Sequence, residues 1–249
     1  MTFTTRFRLG AASLLAGAAL AVITGAPAWG AAPAQTDPTP PARLSELKAK
    51  ADEAVKDRLT QIDKLSGRVN GAGADCGQNA DVVGQLGADR TGLQSLDATI
   101  QAETDPAKAV AEYRRIFTDF RVYWLQTPKT NEVVACDRAS KADSSLTSLR
   151  QKIQARVDEA KAKGYDITKA QAALDDMGSK LSAATSSAGQ ASSSVADLQP
   201  DNGDQAVLLS NLAALAKGRQ GVHTAWTDLQ AARHDARTAI DDLKDLHKS

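Results

Sequence analysis

Apolar residues recur at steps of three and four along almost the whole chain after Pro41, and this spacing constrains the fold more than any other feature. Such spacing places side chains on one face of an α-helix, whereas a half-buried strand requires alternation. Alanine, which occurs 47 times in 249 residues, also favours helices over strands. Short stretches rich in Gly, Pro, Asn and Asp separate the segments and predict turns. The predicted helices are Ala42 to Val69, Gln78 to Glu103, Pro106 to Gln126, Pro128 to Lys163, Asp166 to Leu198, and a last one from the turn at Asp204 to Leu246.

Short turns between long amphipathic helices favour antiparallel neighbours. We therefore expect an all-α fold, an elongated antiparallel helical bundle with coiled-coil-like hairpins. The fifth helix has the cleanest pattern, because strict three-four alternation from Ile167 to Leu198 forms a heptad repeat. Its half after Ala184 carries small residues, which either let the helix fray or allow a neighbour to approach closely. Heptads longer than a compact bundle requires also predict weak self-association.

The apolar stripe of the sixth helix is predicted to include two arginines, Arg219 and Arg233. An arginine at such a position usually extends its head to solvent at the edge of the seam. The alternative is contact with a buried acid, an anionic ligand or a partner helix. We therefore take Arg219 and Arg233 as candidate contact residues.

The N-terminus has the layout of a secretory signal peptide. Arg6 and Arg8 form a short basic region, and an apolar run from Leu9 to Ile23 follows. That run is shorter than the roughly 20 residues that span a bilayer. Small-x-small sites predict cleavage after Ala28 or Ala34, so residues 1–34 are the expected signal. Residues 35–41 are then a disordered lead-in and 42–249 the helical domain, secreted or held at the cell envelope, with no membrane span.

The sequence contains no recognisable catalytic or cofactor-binding motif. No Gly-rich phosphate loop, Gly-x-Ser-x-Gly elbow or His-Glu-x-x-His spacing is present, so we predict no enzyme activity, no cofactor and no metal site. The 30 basic residues balance 30 acidic ones, which predicts no nucleic-acid partner. A catalytic site dispersed over several helices stays open as the least favoured alternative.

Half of the ten aromatic residues fall within one twelve-residue segment. Tyr113, Phe117, Phe120 and Trp124 have the spacing of a helix core face, which favours a core role over a ligand or partner patch. Tyr123 lies off that face and is the better candidate for contact with a partner or ligand.

The two cysteines, Cys76 and Cys136, are predicted to form a disulfide. Cys76 lies in the first interhelical turn, and Cys136 lies about two turns inside the fourth helix. In an up-and-down bundle, the first-to-second and third-to-fourth connections are at the same end, which brings the thiols within bonding range. Export to an oxidising compartment would preserve the bond. The alternative is two free thiols, with Cys136 filling a core position.

Three phrases resemble a known group of proteins. They are ARVDEAKAKGYDITKAQAALDDM from Ala155 to Met177, FRVYWLQTPK from Phe120 to Lys129, and LQAARHDAR from Leu229 to Arg237. They resemble secreted, helix-rich bacterial proteins of the actinobacterial type, an uncharacterised group. The resemblance covers the region from Ala107 to the C-terminus. It implies export and helices, and it assigns no catalytic or binding residue.

These features favour an exported, non-enzymatic α-helical protein that acts as a scaffold or binding module of the cell envelope or extracellular space. Its partner would be a protein or another envelope component. The alternative is a small-ligand carrier, with a pocket between helices that the segment from Tyr113 to Trp124 lines together with Arg219 or Arg233.

Overall fold

A computed structural model describes residues 40–73 and 75–246 of the chain. The expected signal, residues 1–34, and most of the lead-in lie outside this part. Pro40 and Pro41, the last residues of the predicted lead-in, instead belong to the first turn of a helix, where proline is well accepted. Six α-helices and one π-helical turn make up the fold. They are α1 (Pro40–Ala72), α2 (Asn79–Ala102), α3 (Pro106–Thr118), the π-turn (Val122–Gln126), α4 (Thr127–Ala162), α5 (Thr168–Ala196) and α6 (Gln205–Leu246).

The all-α prediction is confirmed, and the described ranges contain no β-strand. Consecutive helices are antiparallel where the turns are short. Arg90 of α2 pairs with Asp63 of α1. Near one end of α4, the Lys129 ammonium donates to the Leu198 carbonyl, and near the other end Gln154 bonds Gln171. No helix within residues 40–73 and 75–246 has the length and hydropathy needed to cross a membrane.

Two apolar cores hold the helices together, and α4 contributes to both. The first core joins α1, α2, α3 and the π-turn to the start of α4, where Val133 and Val134 are buried, and it also includes Val195 of α5 and Leu215 of α6. The second core lies between the rest of α4, α5 and α6, and it begins at Cys136 and Ala139. Because α4 packs in both cores, it connects the helices of the first core to those of the second.

The predicted heptad of α5 is confirmed, since Ala170, Leu174, Met177 and the positions that continue this register to Val195 are buried. The predicted stripe is confirmed only in part for α6, at Leu215, Leu229 and Ala236. Its buried positions are Asn211, Leu215, Gly218, Ala225, Leu229, Ala232, Ala236 and Ala239, whereas Leu212, Arg219, Trp226 and Arg233 are exposed.

The backbones of α5 and α6 approach each other closely, which explains why small residues occupy much of the buried face of α6. A Cβ atom added at Gly218 would lie 2.8 Å from a methyl carbon of Val195. A Cβ added at Gly221 would lie 2.8 Å from the Cβ of Ala191 and 3.0 Å from the Ser187 carbonyl oxygen. Only small side chains fit where the backbones are this close, at Gly218 and Gly221, whereas Leu215 and Leu229, before and after this stretch of α6, are still buried.

We expect Gly221→Ala to lower the free energy of unfolding by about 1–3 kcal/mol, because the added methyl group must push two helix backbones apart. Gly189→Ala is the matched control, since a Cβ at this exposed position of α5 meets nothing within 4 Å. The control should raise stability by up to about 1 kcal/mol through helix propensity. Urea denaturation of both variants checks this, and equal shifts in the same direction would contradict the close seam.

The third helix ends earlier than predicted, at Thr118 rather than Gln126. Arg121 adopts a left-handed backbone conformation (φ 46°), which turns the chain before the π-turn begins. The Arg121 guanidinium donates two hydrogen bonds of 2.7 and 2.8 Å to the carboxylate of Asp201 in the α5–α6 turn. The Phe120 ring lies over Gly92 of α2, where an added Cβ would be 2.6 Å from a ring carbon. These contacts fix the chain reversal that redirects Tyr123 and Trp124.

Candidate functional site

A cluster of aromatic rings surrounds one arginine on the surface between α1 and the α3–π-turn segment. The guanidinium carbon of Arg58 lies 4.4 Å from the centre of the Phe117 ring and 5.5 Å from that of Tyr123. Tyr113 packs edge-to-face on Phe117 with 5.2 Å between ring centres. We call Arg58, Tyr113, Phe117 and Tyr123 the aromatic patch. Both Arg58 contacts are cation–π interactions, which position the cation between two rings.

Hydrogen bonds hold the aromatic patch in place. The Tyr123 hydroxyl donates to the Asp57 carboxylate over 2.7 Å, and Arg58 donates to the Ala54 carbonyl over 2.8 Å. Partial burial and this hydrogen bond to a carboxylate raise the pKa of Tyr123, so its hydroxyl remains a donor at neutral pH. Burial lowers the pKa of Arg58, although an arginine remains charged. The side chains of the aromatic patch therefore hold their positions without a bound partner.

The predicted core role of this aromatic segment is wrong for Phe117 and Trp124, whereas Tyr113 and Phe120 are partly buried against the first core as predicted. Phe117 is 37% exposed, Tyr123 45% and Trp124 43%. The buried residues of α3 are instead the smaller Ala109 and Ile116, and in the π-turn they are Val122, Leu125 and Gln126. A straight helix through residue 126 would have kept the aromatic register, but the turn at Arg121 breaks it. The expectation that Tyr123 is accessible agrees with its exposure.

A shallow depression adjoins the aromatic patch. It has a volume of about 730 Å³, and Tyr113 and Phe117 lie on one side of it. Charged residues of α1 form the other side, and they include Lys50, Glu53 and Lys56. The rings therefore lie beside a polar surface of mixed sign, which is typical of the rim around an interface core.

The two candidate arginines of α6 do not form part of the aromatic patch. The Arg219 Nε atom lies 3.9 Å from Oε1 of the buried Glu132, and most of the Arg219 side chain is exposed. Burial raises the pKa of Glu132, and Arg219 opposes that shift. Arg233 is exposed further along α6. The cation that lies against the Phe117 and Tyr123 rings is Arg58.

A buried polar cluster lies where the α5–α6 turn meets α2 and α4. Lys129 is only 1% exposed, and its ammonium donates to Gln85 Oε1 over 2.6 Å and to the Leu198 carbonyl over 3.1 Å. Gln85 in turn donates to Gln199 over 2.9 Å. Burial lowers the pKa of Lys129. Lys129 therefore stabilises the contact of the turn with the first half of the chain.

Asp89 belongs to the same region and is also buried. Burial raises its pKa to about 7, and the nearby Gln126 and Lys129 oppose that increase. The burial of Lys129 and Asp89 was not predicted from the sequence, because charged side chains are rarely expected in a core. One signal was present: Gln126, Lys129, Val133 and Cys136 share helical spacing, so two polar side chains continue the apolar stripe of α4.

The structure joins Cys76 and Cys136 in the predicted disulfide, with Cα atoms 6.1 Å apart. The Cys76 amide donates to the Asp137 carboxylate over 2.9 Å, which positions the α1–α2 turn against α4. The reason for the pairing differs from the predicted one. Because α3 is short, the π-turn lies at the middle of α1. α4 then runs alongside α1, as contacts of Gln61 with Thr127 and Arg68 with Asn131 show, until it reaches Cys76.

Within the described ranges, no three His, Cys, Asp or Glu side chains are grouped so that they could hold a metal ion. Comparison with protein-family profiles, with curated proteins and with solved structures found no match for this chain.

Proposed function

We propose that this chain is an exported, non-enzymatic binding module of the cell envelope or extracellular space, and that the aromatic patch is its contact surface for a protein partner. The observation that carries the proposal is the position of Arg58 between the exposed rings of Phe117 and Tyr123. The disulfide supports the location, because such bonds persist in oxidising compartments. The signal layout of residues 1–34 and the resemblance to secreted bacterial proteins support export.

The composition of the patch favours a protein partner. Tyrosine, phenylalanine and arginine are enriched at the centres of protein interfaces, and a few such residues carry most of the binding free energy. Stacking on two rings and the bond to Ala54 already restrict the Arg58 side chain. A restricted side chain loses less conformational entropy on binding, so more of its contact energy contributes to affinity.

We expect Phe117→Ser with Tyr123→Ser to weaken capture of the partner from envelope extract or culture medium by at least about tenfold, since each hot-spot truncation costs about 2 kcal/mol. The matched control is Leu209→Ser with Trp226→Ser, which removes two other exposed apolar side chains from α6. Quantitative mass spectrometry of proteins captured on each immobilised variant measures the change, and circular dichroism verifies that both fold. Equal capture by the two double variants would reject the aromatic patch as the contact surface.

A further inference from the structure

A groove between the C-terminal halves of α4 and α6 lies apart from the aromatic patch and plays no part in the function proposed above. It has a volume of about 500 Å³, within the range of about 300–1,000 Å³ that small-molecule sites occupy. Its apolar lining, called the apolar floor below, consists of Ile153, Ala160, Ile240 and Leu243. Both α4 and α6 run antiparallel to α5, so they are parallel to each other. The groove lies between these two helices.

Four cations and one carboxylate line the groove, and one of the cations, Lys244, is paired with Asp241 over 2.8 Å. Lys152, Arg156 and Lys163 follow one face of α4, and Lys244 lies on α6. The carboxylate is Glu159, which accepts hydrogen bonds of 3.1 Å from Arg156 and 2.9 Å from Lys163. Ion pairs as exposed as these contribute little to stability, so the cations can exchange Glu159 for an anionic ligand.

The helix dipole does not account for this charge. A lysine in the last turn of a helix complements the exposed carbonyl groups, and this explains Lys163 at the end of α4. That effect is confined to the last turn. Lys152 and Arg156 lie further inside α4, which ends at Ala162. Their position beside an apolar floor therefore indicates a ligand with both an anionic and an apolar part.

We propose that this groove binds a single-chain amphiphile with an anionic headgroup, with the acyl chain on the apolar floor and the headgroup at the rim of Lys152 and Arg156. Ile153 and Ala160 are buried between the helices. One acyl chain can lie along such a recess, whereas the flat surface of a bilayer would meet only the exposed side chains. The long stems of the lysines and Arg156 add apolar surface along the chain.

The test uses monomeric tetradecanoyl lysophosphatidylglycerol, kept below its critical micelle concentration, with the purified full chain. Binding is measured by calorimetry and located by methyl NMR. We expect shifts at the methyl groups of Ile153, Ile240 and Leu243. A neutral glycoside with the same chain length should bind about tenfold or more weakly, because it offers no charge to the rim.

Lys152→Glu with Arg156→Glu should weaken binding of the lysophospholipid by at least about tenfold. Lys141→Glu with Lys161→Glu is the matched control, since it makes the same charge change on exposed positions of α4 outside the groove lining. The apolar run from Leu9 to Ile23 is the same in both variants, so binding there cannot separate them. Equal affinity of the two variants, binding only above the critical micelle concentration, or unshifted Ile153 and Leu243 methyl groups would each overturn the proposal.

Discussion

Replacing Cys76 with serine and Cys136 with alanine is expected to lower the free energy of unfolding by about 4 kcal/mol. The bond closes a loop with a sequence separation of 60 residues, and without it the unfolded chain gains the entropy of that loop. The effect should be large because the bond also ties the α1–α2 turn to α4. Guanidinium denaturation of the variant and of the native chain measures the difference.

Reduction provides the control for this prediction. A reductant should shift the native chain toward the variant and leave the variant unchanged. Free-thiol titration of the denatured, unreduced protein gives an independent result. Two reactive thiols per chain would show that the disulfide does not form in the purified protein.

Asp89→Asn is expected to stabilise the chain by up to about 4 kcal/mol at pH 8 and to have little effect near pH 4. The folded-state pKa of Asp89 is about 7, against about 4 in an unfolded chain. The folded state therefore binds the proton more tightly, so the contribution of Asp89 to stability is present below pH 4 and is lost as the pH rises to 7. Asparagine mimics the protonated form, and each pKa unit corresponds to about 1.4 kcal/mol.

Denaturation at several pH values between 4 and 8 checks this prediction. The difference between variant and native chain should grow over this interval and then become constant. Asp176→Asn, at an exposed position of α5, is the control and should show no such growth. Burial also raises the pKa values of Glu132 and Asp143, so the Asp89→Asn variant keeps a residual slope of the same sign. A difference that does not depend on pH would contradict a buried, protonated Asp89.

The helices were predictable from the sequence because periodicity and turn residues act locally. The bounds of α2, α4 and α5 differ from the predicted ones by one or two residues. The buried face of α6 was only partly predictable from hydrophobicity: Leu215 and Leu229 lie on it as expected, but the distance between backbones decides which residues fit at Gly218 and Gly221. Gly218 and Ala225 are buried since α5 leaves no room for a larger side chain, while Trp226 is excluded.

The candidate site was less accessible to sequence reasoning. Tyr123 was identified because it falls off the register of its neighbours. Arg58 could not be identified, because it comes from a distant helix and its charge gives no indication of the rings above it. The break at Arg121 depends on its bidentate contact with Asp201, which lies 80 residues away. The helical spacing within one segment does not show which residues of a distant segment will contact it.

The shared position of α4 in both cores determines how the chain comes apart. Val133 and Val134 cannot leave the first core without moving Cys136 and Ala139, on the next turn of the same helix, out of the second. Lys129 and the disulfide bind this stretch of α4 to turns from either half. The two halves therefore cannot unfold separately without disrupting α4, which is one continuous helix. We therefore expect the described helices to unfold as one cooperative unit, so that a substitution that weakens either core lowers the stability of both.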